Sequence, residues 1–272
     1  MKKIFNLKRK TIYLLVILSL AIPLLFPFKL PAHATNETKD FYEKIENLQP
    51  QSRVLVVVSF SASDEVEMKS QFNAVMKHLF SKKDIKMVTF SIDPTGLIYL
   101  EEYMNLYQSE YQKVSGKDFA NLGYLYGNDN AIANFSKNIH KAAPTDHYGT
   151  PIENLSIMSN IKSGADFDLV INFGFAGSDA LIFYLTDVYN VDFACGMQSI
   201  RTIQQLPYYA SGQIDGLLNG ILGAAGYESL LNSWGPANIF MNPLSTSSIL
   251  IIVLIFIGNI SYFINNKTKD MK

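Results

Sequence analysis

The chain has 272 residues, of which 48% are hydrophobic, and a formal net charge of −1 at pH 7. Residues 35–243 contain 14 Lys and Arg against 23 Asp and Glu, so this region carries a charge of −9. Such a charge repels phosphate backbones and excludes nucleic acid as an expected partner. Cys195 is the only cysteine, and no intrachain disulfide can form.

The N-terminal segment has the three parts of an export signal. Basic residues precede an apolar run from Ile12 to Phe28, and the run is followed by Ala32-His33-Ala34. Signal peptidases cleave after such small-residue patterns. We therefore expect residues 1–34 to be a signal peptide cleaved after Ala34, or an uncleaved anchor. The polar residues 35–52 are predicted to form a linker or an early helix.

Residues 53–235 alternate between apolar strand patterns and amphipathic helix patterns. The predicted strands cover residues 53–60, 85–92, 119–126, 168–173 and 191–197. The predicted helices cover residues 64–80, 97–114, 130–142 and 178–189, with one or two more over 201–231. Strands that alternate with helices at this spacing indicate βαβ units. The sequence predicts a Rossmann-like, three-layer α/β/α domain with a mainly parallel sheet of about five strands.

The C-terminal region predicts a membrane anchor. Residues 249–264 are an apolar run, and residues 236–248 before it are expected to be a linker. Lys267, Lys269 and Lys272 follow the run, whereas the stretch before it carries no charge. Positive residues favour the cytoplasmic side of a membrane. We expect a protein of the cell membrane with one transmembrane helix, a cytoplasmic tail over 265–272 and an extracytoplasmic domain.

Polar residues follow several of the predicted strands, where ligands bind in open parallel sheets. The candidate ligand-binding residues are Ser61, Ser63, Asp64, Asp93, Ser178, Asp179, Gln198 and Arg201. Small polar groups of this kind suit a modest neutral or cationic ligand. Ser and Asp are also the residues that cap helices and form turns, so a structural role is the alternative.

The sequence offers no strong catalytic motif. The loop over 174–179 lacks the G-x-G-x-x-G pattern and a P-loop lysine, so no nucleotide cofactor is predicted. The histidines show no metal-ligand spacing, and no metal is predicted. His147 precedes Cys195 by 48 residues, which allows a Cys–His hydrolase, and Asp93 with Asp179 allows a carboxylate-based one. An inert, buried Cys195 is the expected alternative.

Small residues recur every four positions late in the domain, at Gly212, Gly216, Gly220 and Ala224. On one helix, this spacing predicts a groove that another backbone approaches closely. The groove is expected to face either the sheet of the same domain or a second subunit. A similar four-residue spacing of Tyr99, Tyr103, Tyr107 and Tyr111 predicts a helix stripe that faces the core.

Three segments carry a resemblance: Asn121-Leu-Gly-Tyr124, Tyr208-Tyr-x-Ser-Gly-Gln-x-Asp-Gly-Leu217 and Gly223-Ala-Ala-x-Tyr-Glu228. Together they resemble prokaryotic membrane-tethered α/β proteins of unassigned function. The resemblance covers about half of the domain; it implies the fold and an envelope location and supplies no reaction.

The leading functional hypothesis is a non-catalytic, membrane-anchored domain that binds a small molecule or a membrane protein partner. The alternatives are a membrane-anchored hydrolase and a subunit of a membrane assembly, including a homo-oligomer.

Overall fold

The computed structural model describes residues 8–28 and 32–270, which form two compact units. One unit comprises His33–Ala237, and the other comprises the segments on either side of it. The strands are β1 Arg53–Val58, β2 Lys86–Ser91, β3 Phe119–Tyr124, β4 Leu169–Phe173, β5 Asp192–Met197 and β6 Gly216–Asn219. The helices before β4 are α1 Arg9–Leu25, α2 Asn36–Glu46, α3 Glu65–Ser81, α4 Gly96–Glu110, α5 Asn128–Lys137 and α6 Ile139–Ala142. Those after it are α7 Ser178–Leu181, α8 Asp187–Tyr189, α9 Ser199–Ala210, α10 Gly220–Leu230 and α11 Pro236–Asp270.

The six strands form one parallel sheet in the order β3-β2-β1-β4-β5-β6. The predicted α/β fold with a parallel sheet is therefore confirmed. The sequence predicted about five strands, and the sixth is β6, which lies where a helix was expected. Its pairing with β5 buries Leu217 and Leu218 in the two different core layers, which a helix at this position would not do.

Side chains of the central strand alternate between two hydrophobic layers. Val54, Val56 and Val58 pack on one face of the sheet, and Leu55 and Val57 pack on the other. Continuous β-branched runs suit strands that are buried on both faces. Helices cover both faces and form the three predicted layers, with α3 and α4 on the Val54 face and α5 on the Leu55 face.

The tyrosine stripe of α4 faces the core, as predicted. Tyr99, Tyr103 and Tyr107 are buried, and Tyr111 packs against the same cluster. The Tyr103 ring makes an edge-on contact with Phe72 of α3, with the two ring centroids 5.6 Å apart. The stripe therefore stabilises the packing of α4 on α3.

The segment over residues 35–52 is not a simple linker, because it contains α2. Thr35 caps this helix by accepting a hydrogen bond from the backbone of Thr38. Phe41 and Ile45 are fully buried, and the α2 backbone at Phe41 lies against Gly216 of β6. The first helix of the folded unit therefore packs beside its last strand.

The C-terminal helix is longer than predicted. Residues 236–248, which were expected to be a linker, are part of α11, and its stretch Pro236–Ile264 is long and apolar enough to cross a membrane. No other helix of the described residues passes the same test. Helix α1 has 17 residues with Pro23 inside it, and Thr246 of α11 donates a 2.6 Å hydrogen bond to the Ser19 carbonyl. Of the predicted tail over 265–272, residues 271 and 272 lie outside the described residues.

Candidate functional site

The strand order creates a crevice at the centre of the sheet. The chain leaves β1 toward β2 on one side and leaves β4 toward β5 on the other, although β1 and β4 are neighbours. Ligands of open parallel sheets bind outside the carboxyl ends of the strands at such a switch point. The loop that follows β1 and the loop that follows β4 border this position.

A cleft of about 490 Å³ opens at the carboxyl ends of β1, β4 and β5. It is lined by Ser59, Ser63, Asp64, Val66, Glu67, Phe175, Ala176, Gln198, Ile200 and Arg201. Four of these residues were predicted from the sequence: Ser63, Asp64, Gln198 and Arg201. The cleft is therefore built from the loop after β1, the first turn of α3, the loop after β4 and the start of α9.

The close approach of the two central loops requires a glycine. Gly174 has a φ of +116°, and a Cβ atom there would lie 2.6 Å from Ser59 Oγ and 2.7 Å from the Phe60 nitrogen. L-residues with a side chain rarely adopt this φ and would collide with the loop after β1. Gly174 therefore brings the ends of β1 and β4 together beneath the cleft.

A buried hydrogen-bond chain supports the same loops. Ser59 Oγ donates to Asn172 Oδ1 at 3.0 Å, and Asn172 Nδ2 donates to Ser178 Oγ at 2.8 Å. Ser178 is only 1% exposed and does not line the cleft. The prediction that Ser178 binds ligand is therefore wrong, because its hydroxyl lies inside the protein as a partner of Asn172.

Asp64 is held at the cleft by the turn before α3. Its carboxylate accepts hydrogen bonds from the Ser61 nitrogen at 3.1 Å and the Ser61 hydroxyl at 3.0 Å. Burial would raise the Asp64 pKa, but hydrogen bonds from Ser61, Gln198 and Ser63 outweigh it and hold the pKa below its usual value. Asp64 is therefore ionised at neutral pH. Ser61 does not line the cleft, and its contribution is to hold the Asp64 carboxylate in place.

The two other predicted aspartates lie outside the cleft. Asp93 Oδ1 accepts hydrogen bonds from the Thr95 nitrogen at 2.7 Å and the Thr95 hydroxyl at 2.6 Å, so it orders the entry to α4. Asp179 is exposed on α7 and does not line the cleft. Asp93 therefore stabilises a turn, which is the structural role that the sequence allowed as the alternative to ligand binding.

Glu67 joins three elements at the rim of the cleft and was not among the predicted site residues. Its Oε2 atom accepts hydrogen bonds from the Ser199 nitrogen at 2.8 Å and the Ser199 hydroxyl at 2.7 Å. A Cβ atom at position 220 would overlap both Glu67 Oε2 and Ser199 Oγ. Gly220 therefore lets α10 begin against this pair. An acidic residue in the first turn of α3 was the available signal.

A buried glutamine fixes the same region from inside. Gln71 of α3 is fully buried, and its Nε2 atom donates to the Met197 carbonyl at 2.9 Å and the Gly220 carbonyl at 3.0 Å. These carbonyls lie at the end of β5 and the start of α10. Gln71 therefore positions the start of α9 and of α10 beside the cleft.

Arg201 is the only cation that lines the cleft. Its guanidinium lies over the Phe175 ring, 4.8 Å from the centroid. No carboxylate of the described residues lies within 4.0 Å of it as an ion-pair partner. Phe175, which was not among the predicted site residues, follows Gly174 in the loop after β4 and lines the cleft beneath the guanidinium.

The predicted Cys–His pair is not formed. Cys195 lies in β5 with no exposed surface, and burial raises the pKa of its thiol well above the usual value. The backbone of His147 donates to Asn121 of β3, which is separated from β5 by three strands. Adjacent strands lie about 4.8 Å apart, so β3 and β5 are about 19 Å apart. The prediction that Cys195 and His147 form a catalytic pair is therefore wrong.

The predicted groove of small residues is also not formed, because its members do not share a helix. Gly212 lies in the turn after α9, Gly216 in β6, Gly220 at the start of α10 and Ala224 inside α10. The four-residue spacing suggested a helix, whereas strand pairing with β5 determines the structure of residues 216–219. In the described residues, no cluster of three or more His, Cys, Asp or Glu side chains could hold a metal ion.

The fold and the cleft define an α/β domain with a charged crevice at the switch point of a parallel sheet. Comparisons of the chain with protein-family models, with curated proteins and with solved structures found no match.

Proposed function

We propose that this protein is a membrane-anchored binding protein whose α/β domain lies outside the cytoplasm. Its domain binds a small polar molecule in the cleft at the carboxyl ends of β1, β4 and β5, and it does so without catalysing a reaction. The observation that carries this proposal is the position of Arg201, held over Phe175 at the switch point with no ion-pair partner among the described residues.

The cleft has the features that small-molecule sites share. Such sites are concave, have a few charged groups at fixed positions and occur at the switch points of α/β sheets. Here Asp64 and Arg201 supply opposite charges, and glycines at 174 and 220 fix the loops that carry the neighbouring residues. A rigid, charged crevice suits recognition of one small ligand.

A non-catalytic role is supported by the location of the candidate nucleophiles. Cys195 and Ser178 are buried away from the cleft, and Asp93 is engaged in a turn. The residues that line the cleft include no cysteine and no histidine. The hydrolase alternative therefore has less support than binding.

Helix α11 supports the membrane anchor. Its apolar stretch Pro236–Ile264 is followed by Lys267 and Lys269, and residues 234–248 carry no charge. The positive-inside rule then favours a cytoplasmic end for α11 and an extracytoplasmic domain. The segment over 1–34 has the pattern of a signal peptide, which supports the same orientation.

Native mass spectrometry of the full chain in detergent tests the binding function. We expect the protein, purified gently from its own membrane, to carry a small-molecule mass. Ala176→Trp places bulk in the cleft and should lose this mass, whereas Asn105→Trp, on the exposed side of α4, should keep it. A wild-type protein without added mass, or equal retention by both variants, would contradict the proposal and favour a membrane protein partner.

Introduced cysteines test the orientation. Because Cys195 is buried, the chain offers a low background for thiol labelling. A Ser159→Cys variant should react with a membrane-impermeant maleimide in intact cells, and a Lys267→Cys variant should react only after permeabilisation. The reverse pattern would place the domain in the cytoplasm.

A further inference from the structure

The cleft holds one cation, Arg201, that forms no ion pair within 4.0 Å with any of the described residues. A guanidinium presents several N–H donors in one plane and binds carboxylates through two parallel hydrogen bonds. The contact with Phe175 orients the guanidinium of Arg201, which is exposed and has no ion-pair partner among the described residues. A carboxylate on the ligand would supply the missing partner.

The cleft is also lined by two carboxylates, those of Glu67 and Asp64. Glu67 uses Oε2 to bind Ser199, and no hydrogen bond from the described residues reaches its Oε1 atom. Asp64 also lines the cleft, and the hydrogen bonds that hold its pKa below the usual value keep its carboxylate ionised. An ammonium group, which has three donors and a positive charge, matches these acceptors.

The two sets of groups together select against simple ions. An inorganic anion would meet Arg201 but would be repelled by Asp64 and Glu67. A simple cation would meet the carboxylates but leave Arg201 without a partner. A zwitterion satisfies both and brings no net charge into the cleft, which avoids the cost of leaving a desolvated charge uncompensated.

The wall of the cleft adds an apolar requirement. Val66 is 67% exposed and Ile200 is 78% exposed, although both are apolar and line the cleft beside the charged groups. An apolar ligand side chain would remove these surfaces from water. A volume of about 490 Å³ accommodates a molecule of amino-acid size.

We propose that the ligand of this cleft is an amino acid with an apolar side chain. Its carboxylate binds Arg201, its ammonium group binds Glu67 and Asp64, and its side chain packs on Val66 and Ile200. This inference rests on the proposed function and names the class of molecule that the cleft binds.

The test uses the full chain in detergent, freed of bound molecules by dialysis. Native mass spectrometry is recorded with an equimolar mixture of leucine, valine, methionine and phenylalanine, whose masses all differ. The best binder is then titrated beside two analogues, the amine without its carboxylate and the acid without its ammonium group. We expect at least one amino acid to add its mass and each analogue to bind at least 10-fold more weakly.

Variants assign the contacts. Arg201→Gln should weaken binding of the amino acid at least 10-fold, and Arg201→Lys should restore only part of it because a lysine lacks the planar fork. Arg201→Gln should bind the amine analogue about as well as the wild type does. Lys137→Gln removes a cation outside the cleft and should leave all affinities unchanged.

Three outcomes would overturn the inference. If neither the amino-acid mixture nor material retained from the membrane adds mass to the protein, both this inference and the proposed binding function are wrong. If the membrane-purified protein carries a molecule that lacks a carboxylate or an amine, the binding function stands and this inference is wrong. Equal affinities for the amino acid and its analogues would also contradict it.

Discussion

The Nδ1 atom of His78 lies 2.7 Å from the hydroxyl oxygen of Tyr227, deep between α3 and α10. On its other side, Nε2 lies 2.9 Å from Glu46 Oε2 at the end of α2. A carboxylate only accepts hydrogen bonds, so Nε2 carries the hydrogen and Nδ1 accepts from Tyr227. One neutral imidazole therefore links the three helices.

This link predicts a loss of stability in mild acid. Burial holds the pKa of His78 below its usual 6.5, against the opposing effect of Glu46. The unfolded chain then binds more protons than the folded protein below about pH 6.5, so stability falls as the pH drops through that value. Above it, His78 contributes no pH dependence.

Thermal unfolding of the full chain in detergent at pH 7.5, 6.5 and 5.5 checks this prediction. The wild type should lose stability between pH 6.5 and 5.5. His78→Gln should be less stable at pH 7.5 and should lose less on acidification. A variant with the same pH dependence as the wild type would assign the effect to other groups.

Gly174 should not tolerate a side chain. Alanine at this position combines an unfavourable positive φ, which costs about 1–3 kcal/mol, with overlap against Ser59. Gly149 has a φ of +83°, and a Cβ atom there would meet nothing within 4 Å, so Gly149→Ala isolates the cost of φ. We expect denaturant unfolding to show a larger loss for Gly174→Ala than for Gly149→Ala. Equal losses would mean that the loop shifts without cost.

Cys195 should be unreactive in the folded protein. Its thiol is fully buried and its pKa is raised by burial, whereas the thiolate is the reactive form. Iodoacetamide at neutral pH should label the native chain slowly and the denatured chain quickly, as followed by intact mass. Rapid labelling of the native chain would indicate that β5 opens frequently.

Gln71 should matter for both stability and the cleft. Gln71→Leu leaves the carbonyls of Met197 and Gly220 without their buried donor, which costs about 1–3 kcal/mol. Gln49 has an exposed side chain, so Gln49→Leu should change stability by less than about 0.5 kcal/mol. Native mass spectrometry should show less retained ligand in Gln71→Leu and unchanged retention in Gln49→Leu. An unchanged midpoint of unfolding in this variant would show that water replaces the donor.

The long strands could be predicted because their residues carry the signal themselves. The run Val54–Val58 is β-branched except at Leu55 and suits burial on both faces, which the sheet confirms. Strand β6 could not be predicted, because Gly-Leu-Leu-Asn has no intrinsic preference for a strand that outweighs the helical pattern of the residues around it. Its structure comes from pairing with β5, which is a tertiary effect.

The cleft was predictable only in part, for a related reason. Asp64 lies in the segment between β1 and α3, and Arg201 lies in the first turn of α9 after β5, so chain order alone places both at the carboxyl edge. Ser178 also follows a strand, but Asn172 turns it inward through a hydrogen bond that no local pattern reveals. Glu67 reaches the cleft from inside the first turn of α3, and its role depends on how Ser199 packs against it.

The packing of α2 beside β6 also constrains how the chain is made. Asp40 of α2 accepts a hydrogen bond from Tyr209, a residue 169 positions later. At synthesis rates of about 5–20 residues per second, this partner emerges roughly 8–34 s after Asp40. For that interval α2 can pack against α3 but lacks β6, so the part of its buried face around Phe41 stays open. A chain that stops before β6 would keep this part of α2 open to chaperones and proteases.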